Sequence, residues 1–251
     1  MNYLLQFGSY ELPDTLRPDD ALAATFDVAE QERPRAAGST SQLARAKSRV
    51  LPVKGELTLP VATDLHTLID TLKQNLAGYG DLYYGRDDRY YRNTQVESLA
   101  AQSKDGKTWG KFFAVSLAFR AFDPFQFDAA GIVTSPLAST AGGTVANAGT
   151  VDGHPVWTIT IGTGGVGTVT LANTTTGETA TINAAAGTTF TTGDVIVLTR
   201  YGYTVTYNGT PTFSLLSGAI PRLEPGNNTI TCTAATVTVS ALTCGFIKRY
   251  A

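Results

Sequence analysis

Sulfur, imidazole and charge are all scarce in this sequence. Its 251 residues include two cysteines, one methionine and two histidines. Two thiols, Cys232 and Cys244, exclude a disulfide-stapled scaffold and a four-thiolate zinc site. Charged residues make up 16% of the chain, against about 25% in an average soluble domain. The net charge of -2 argues against a nucleic-acid binder dominated by phosphate contacts. No apolar run approaches the roughly 18 residues of a spanning helix; Phe112–Phe119 is short and contains Ser116. The start Met1-Asn2-Tyr3-Leu4-Leu5-Gln6 lacks the basic residues and small-residue cleavage site of a signal peptide. These absences predict a soluble protein made inside a cell. They leave function to the order of the segments.

The charge that is present is unevenly placed. Of 19 basic and 21 acidic residues, only four of each lie beyond residue 129. Gly and Thr crowd the same region. Such a shift predicts two domains, 1–127 and 128–251, with Asp128–Thr150 as linker and first strand. In the first domain, Leu65, Leu68, Ile69, Leu72 and Leu76 form one apolar stripe at helical period. Thr63 or Asp64 caps its start and Gly78 ends it. Trp109, Phe113, Val115, Leu117 and Phe119 alternate with smaller residues and predict a strand. Val50–Leu59 and Ala21–Ala29 are weaker strand patterns. The first domain is therefore expected to be α+β, an antiparallel sheet or barrel with one packed helix.

Between the weaker strands lies a polar stretch, Glu30–Arg49, carrying Glu32, Arg33, Arg35, Arg45, Lys47 and Arg49. It is long for a hairpin turn. It reads either as a solvated loop or as an arm that orders against another subunit, for which mixed charge is suited. A second notable run is Tyr83-Tyr84-Gly85-Arg86-Asp87-Asp88-Arg89-Tyr90-Tyr91-Arg92. It reads as a hairpin with Gly85–Arg89 as its turn. Tyr84, Arg86, Tyr90 and Tyr91 are candidate interface residues, since Tyr and Arg are enriched at hot spots. Plain hairpin and base- or sugar-stacking readings stay open, and Asp87 and Asp88 weaken the nucleic-acid one.

The second domain reads as all-β. Strand patterns occur at Val156–Ile161, Val166–Ala172, Thr179–Ala184, Val195–Thr199, Tyr201–Tyr207, Thr212–Leu216, Thr229–Thr233 and Thr236–Leu242. Asn208-Gly209 marks a hairpin, because both turn positions need positive φ. Many short strands at regular spacing predict a β-sandwich, with Thr on its wet faces. Cys232 and Cys244 fall on neighbouring strand patterns, with buried free thiols as the default.

Catalytic patterns are missing. His66 and His154 fit surface or capping positions. No Ser lies in a nucleophile elbow, and no HExxH occurs. Gly162-Thr163-Gly164-Gly165-Val166-Gly167 is not followed by Lys-Ser/Thr or a helix, so it reads as a hairpin tip and not a phosphate loop. Asp19-Asp20 and Asp87-Asp88 are adjacent in sequence, unlike paired glycosidase carboxylates. Asn173-Thr174-Thr175 and its like are chance sequons in a Thr-rich domain. No catalytic residue, metal or cofactor is expected.

Several features taken in order resemble a known family. They are the Phe7-Gly8 turn, the single mid-domain helix, the strand running into Asp123-Pro124-Phe125, and Leu223-Glu224-Pro225-Gly226-Asn227-Asn228 before a final strand pair. This order resembles the distal tail proteins (Dit) of long-tailed bacteriophages, across essentially the whole chain. The resemblance implies a tail-tube-like N-terminal domain that builds a hexameric ring, with a belt here falling on Glu30–Arg49. It implies a galectin-like C-terminal sandwich outside the ring. The implied partners are five further copies, the tail tube protein, the tail-tip hub or tail-associated protein, and the tape measure protein. DNA would pass through the bore without specific binding, at the tip of a virion assembled in the bacterial cytoplasm. No obvious carbohydrate-binding insertion is present, so galectin likeness implies fold and not sugar affinity. The rival readings are a carbohydrate-binding module for host attachment, motivated by Tyr201–Tyr207, and a tail-tip hydrolase, motivated by scattered carboxylates.

Overall fold

The computed structural model describes residues 5–19, 48–104, 106–139, 142–184 and 189–251, and the backbone of 26–27, 30–32, 39–41 and 45–46. It divides into two compact units, Met1–Ala129 with Ala251, and Ala130–Tyr250. Among the described residues no helix is long and apolar enough to cross a membrane.

The N-terminal unit is built from β1 (Leu5–Phe7), β2 (Tyr10–Glu11), β3 (Leu16–Pro18), β4 (Arg49–Asp64), α1 (Leu65–Asn75), β5 (Tyr79–Tyr84), β6 (Arg89–Ser103), β7 (Trp109–Ala121) and β8 (Gln126–Asp128). Its strands pair in the order β2-β1-β5-β6-β7-β4-β3, with β8 beside the start of β6. The pairing is antiparallel throughout that path. Period-2 alternation sorts β7: Phe113, Val115, Leu117, Phe119 and Ala121 are buried, while Phe112, Ala114 and Ser116 are exposed. Trp109, expected with the inward set, is 59% exposed. The β4–β7 register slips between Gly110 and Phe112, so the alternation does not carry through to the strand's start.

Helix α1 closes the buried face of this sheet. Leu68, Leu72 and Leu76 of the stripe are buried, in one core with Leu51, Val53, Leu57, Leu82, Tyr91 and Phe113. The Asp64 carboxylate accepts from the backbone N–H of His66 (3.0 Å) and Thr67 (3.3 Å), which satisfies two otherwise free donors. Gly78 leaves the helix at φ +80. Of the pattern Ala21–Ala29, Phe26–Asp27 is strand, paired with Arg45–Ala46, and the rest lies outside the described residues.

The C-terminal unit is a β-sandwich. One sheet runs β9 (Val133–Leu137), β19 (Thr238–Phe246), β11 (Val156–Thr163), β14 (Val195–Thr199), β15 (Thr204–Tyr207), β16 (Thr210–Pro211). The other runs β10 (Gly143–Asn147), β18 (Gly226–Ala235), β12 (Thr168–Asn173), β13 (Glu178–Asn183), β17 (Leu216–Gly218). Both contribute to a single core, with Trp157, Ile159, Ile196, Leu198 and Leu242 from one sheet and Val169, Leu171, Ile182 and Ile230 from the other. The outward positions are largely Thr: Thr158 and Thr160, Thr204 and Thr206, Thr168 and Thr170, Thr229, Thr231 and Thr233. Threonine's branched Cβ suits a strand and its hydroxyl stays solvated. Cys232 and Cys244 are free and buried, on opposite sheets and not on neighbouring strands. Burial pushes their thiols up, to about 11 and about 12.

Three local expectations are corrected. The run 201–207 is strand only from Thr204, because Tyr203 sits at φ 52 and Tyr201–Tyr203 turns. Phe213–Leu215 is a 3-10 turn and not the middle of a strand. The glycine run after β11 is not a hairpin tip; β11 and β12 belong to different sheets, so it crosses the sandwich. A Cβ at Gly164 would stand 2.4 Å from the Phe190 carbonyl oxygen, and one at Gly167 would stand 2.2 Å from that of Ala235. Only a residue without Cβ fits there. The Asn208-Gly209 turn has φ values of 48 and 79, the two positive angles its hairpin requires.

Candidate assembly interface

The aromatic hairpin forms as β5 and β6, with Gly85 at φ +75 in its turn. Its side chains do not all face outward. Tyr91 is fully buried, and its hydroxyl accepts from Arg49 Nη1 at 2.6 Å. Tyr84 is buried and donates to the Pro52 carbonyl. Arg49 is itself buried, with its guanidinium 5.8 Å from the Tyr91 ring centre. These three belong to the unit's interior, which corrects the expectation of an exposed hot spot. Arg86 reaches across the turn to Asp88 with two bonds of 2.7 and 2.6 Å. That hydrogen bonding from Arg86 holds the Asp88 carboxyl below its ordinary pKa. Tyr90 is half-buried between Tyr83 (5.5 Å) and Phe127 (5.9 Å).

Of the polar stretch 30–49, residues 30–32, 39–41 and 45–46 are described by backbone pairing. Glu30–Glu32 pairs antiparallel with Ser39–Ser41, Glu32 opposite Ser39. Further out, Asp27 lies opposite Arg45. The two short ladders nest in sequence, the pairing order of a hairpin. Arg33, Arg35 and Lys47 lie outside the described residues.

A surface missed by sequence reading is the far end of the long strands. Pairing of β6 on its β5 side ends at Gln95, and 96–103 pairs with β7 alone among the described residues. Pairing of β4 with β3 covers Val53 to Gly55, and Glu56–Asp64 has no strand on that side among the described residues. The result is a three-stranded flap, β6-β7-β4, with two open edges. Open edges carry unpaired N–H and C=O groups, which template pairing with another chain. The signal was length: these strands run 15, 13 and 16 residues, against a usual 5–6 or so.

The flap's uncovered face holds small and polar side chains. Lys54, Glu56, Ala100, Gln102, Ala114 and Ser116 line a shallow groove of about 650 Å³. Its charges are paired: Lys104 with Glu56, Lys54 with Asp19, and Arg120 with Glu97. Among the described residues no cluster of three or more His, Cys, Asp or Glu is placed to hold a metal.

Comparison with known proteins bears on this architecture. Residues 148–250 match the model of the siphovirus-type tail component, C-terminal domain, SPP1 Dit type. The Dit protein (gp 19.1) of phage SPP1, described as a paradigm of the hub adsorption apparatus in phages infecting Gram-positive bacteria, shares the fold over 100% of both chains. The TM-score is 0.73 at 15% identity. The C-terminal part of this chain matches the Dit family model, and the whole chain shares the Dit fold. A chain of the phage P2 baseplate in its activated conformation with Ca aligns over 96% of this chain and 94% of its own, with TM-score 0.44 and 8% identity. No curated protein sequence matches.

In this chain the residues of the Leu223–Asn228 and Asp123–Phe125 motifs are structural. Asn228 is buried and bonds the turn that contains it, accepting from Glu224 N–H at 2.9 Å and donating to the Glu224 and Gly226 carbonyls at 2.8 and 3.1 Å. Asn173 ties that turn to the next strand through Asn228 Oδ1 (3.0 Å) and the Arg222 carbonyl (2.7 Å). Asp123 accepts from the Phe125 N–H at 3.2 Å, forming the tight turn after β7. A buried amide bonded on all sides holds one conformation, because each unmade bond would cost about 1–3 kcal/mol.

Proposed function

We propose that six copies of this chain close into a ring at the tail tip, joining the tail tube to the hub or baseplate around the DNA channel, without catalysis. The N-terminal domain, 1–127, forms the ring, and the 128–251 sandwich, galectin-like by resemblance, stands outside it. Assembly takes place in the host cytoplasm. The observation that carries this reading is the flap with two open edges. An edge of β6 laid against the β4 edge of the next copy is a heterologous contact, and such contacts make rings when the rotation closes. Both strands run antiparallel to β7, so they run parallel to each other. Rotation about a ring axis preserves that sense, and the junction between copies is therefore parallel. The uncovered face supports a bore role: its charges bind one another, so it offers passing phosphates little to hold. The paired arm at 30–41 supports a belt reaching a neighbour.

Native mass spectrometry tests this. The full chain is expected at six times its 26.5 kDa mass. Deleting 31–48, or placing a charge on the open edge with Val61→Lys, is expected to leave folded monomers. Val61 is 70% exposed, so the substitution itself changes stability by no more than about 0.5 kcal/mol. A six-fold species surviving both changes would overturn the arm and edge assignments. A monomer at high concentration, even with tail tube protein added, would overturn the ring.

A further inference from the structure

Tyr201, Tyr203 and Phe213 are exposed by 51%, 37% and 53%, while Trp157, Phe190 and Phe246 of the same unit are buried. Two of the exposed three share one turn, and the third packs beside Tyr203. Tyr201 and Tyr203 sit on the turn closed by Tyr203 N–H to the Arg200 carbonyl, and the Phe213 ring lies 5.9 Å from that of Tyr203. We propose that this aromatic patch is a stacking platform for a neutral saccharide chain, a binding function independent of the ring.

Four observations carry it. First, the platform is pre-set. Tyr203 is held at φ 52, a left-handed backbone that bulky residues rarely adopt. Its hydroxyl donates to the Gly218 carbonyl (3.1 Å) and accepts from the Ile220 N–H (3.2 Å), while Arg200 lies over its ring at 5.8 Å. Tyr201 packs on His154 with ring centres 6.0 Å apart. Rings fixed in advance lose little freedom on binding.

Second, the neighbouring charges bind one another and do not select an ionic ligand. Arg200 donates to Glu178 at 3.1 Å and to the Ile220 carbonyl. Arg222 donates through its backbone N–H to Glu178 (2.7 Å) and through its side chain to Glu224 (3.1 Å). Third, Thr204 and Ser214, each next in sequence to one of the rings, are exposed. Their hydroxyls donate and accept, as sugar hydroxyls do. Fourth, the size fits. Whole aromatic side chains present about 150–250 Å² each, so three half-exposed ones offer roughly 300 Å². A stable protein interface takes about 800 Å² per partner. A short stretch of sugar rings, with C–H faces on the aromatics, needs no more than the patch offers.

The test is titration calorimetry of the full chain with maltohexaose, cellohexaose and chitohexaose, together with NMR of its Tyr and Phe ring signals. At least one saccharide is expected to bind and shift Tyr201, Tyr203 and Phe213. The double variant Tyr201→Ser/Phe213→Ser should weaken that binding by about tenfold or more. Its melting temperature and assembly mass should match the parent's. Tyr203 is left intact because its hydroxyl bonds hold the turn. Binding that the double variant retains would overturn the proposal, as would ring signals that no saccharide moves. A double variant with altered assembly mass and no saccharide binding would overturn it in favour of a protein contact. Because the ring assignment is read from mass and this one from ligand binding, either can fail alone.

Discussion

In the N-terminal unit the outward side of the sheet carries charges, and in the C-terminal unit it carries threonine. Lys54, Glu56, Lys104, Glu97 and Arg120 pair across strands on the first. On the second, the charges are few: the Asp152–Arg222–Glu178–Arg200 corner with Glu224, Asp194, and Lys248 and Arg249 near residue 250. Exposed pairs are worth about 0–1 kcal/mol each, so neither arrangement is chiefly about stability. The difference lies in what each surface can recognise. Paired charges suit a polar contact of defined geometry. A hydroxyl surface carries no such charge pattern. The unit proposed to assemble is the one with the charge pattern.

The largest effect that would break the comparison is in the sandwich core. Trp157 is fully buried and donates from Nε1 to the Pro221 carbonyl at 3.0 Å. Trp157→Ala is expected to cost about 3–5 kcal/mol. Calorimetry should show the C-terminal unit melting early and the N-terminal unit unmoved. If both units melt together and both shift, they are not separate cooperative units.

A middle-sized effect sharpens the contrast in how charge is used. Burial raises the pKa of Asp194, but hydrogen bonds from the Thr191 N–H (2.6 Å), Tyr207, Asn208 (2.9 Å) and the Thr191 hydroxyl (2.8 Å) outweigh it. The carboxyl ends well below the ordinary carboxylate range. Its partner Tyr207 is pushed up to about 12, first by the bond to Asp194. A lowered carboxylate stabilises the fold above its unfolded pKa of about 3.9 and loses that contribution as pH falls. A raised phenol stabilises it below about pH 10 and loses that contribution as pH climbs through the folded value. Asp194→Ala should cost about 2–3 kcal/mol at pH 7. It should also flatten the acid limb below about pH 4 in a pH series of urea melts. A variant that keeps the wild-type acid limb would show that the carboxylate does not set it.

The smallest effect concerns the one helix. Asp64→Ala removes its cap and should cost about 1 kcal/mol, confined to the first transition. Loss of stability in the second transition would break the separation between the units from the other side.

Much of this was legible in the residues. The helix was plain because five apolar positions at one period, a capping Asp and a terminal Gly all agree. The inward side of β7 was plain from alternation. The arm's pairing and the flap's open edges were not, since polar strands lack the pattern that burial imposes and edges are defined by what is absent beside them. Tyr91 and Arg49 were misplaced for a related reason. Amphipathic side chains bury their bodies when a partner satisfies the polar tip, and that partner lies 42 positions away in the chain. The Gly162–Gly167 crossing resembled a hairpin tip because glycine marks both turns and close backbone approach.

The two thiols inside the sandwich bear on durability outside a cell. Oxidants attack the thiolate, and at neutral pH a thiol titrating near 11 or 12 supplies almost none of it. Both sulfurs are also out of solvent, on opposite sheets, with no partner cysteine beside them. The chain's other sulfur is Met1. Sulfenic acid formation and thiol exchange thus have little to act on in the folded C-terminal unit. A protein built this way keeps its form in air without a reductant.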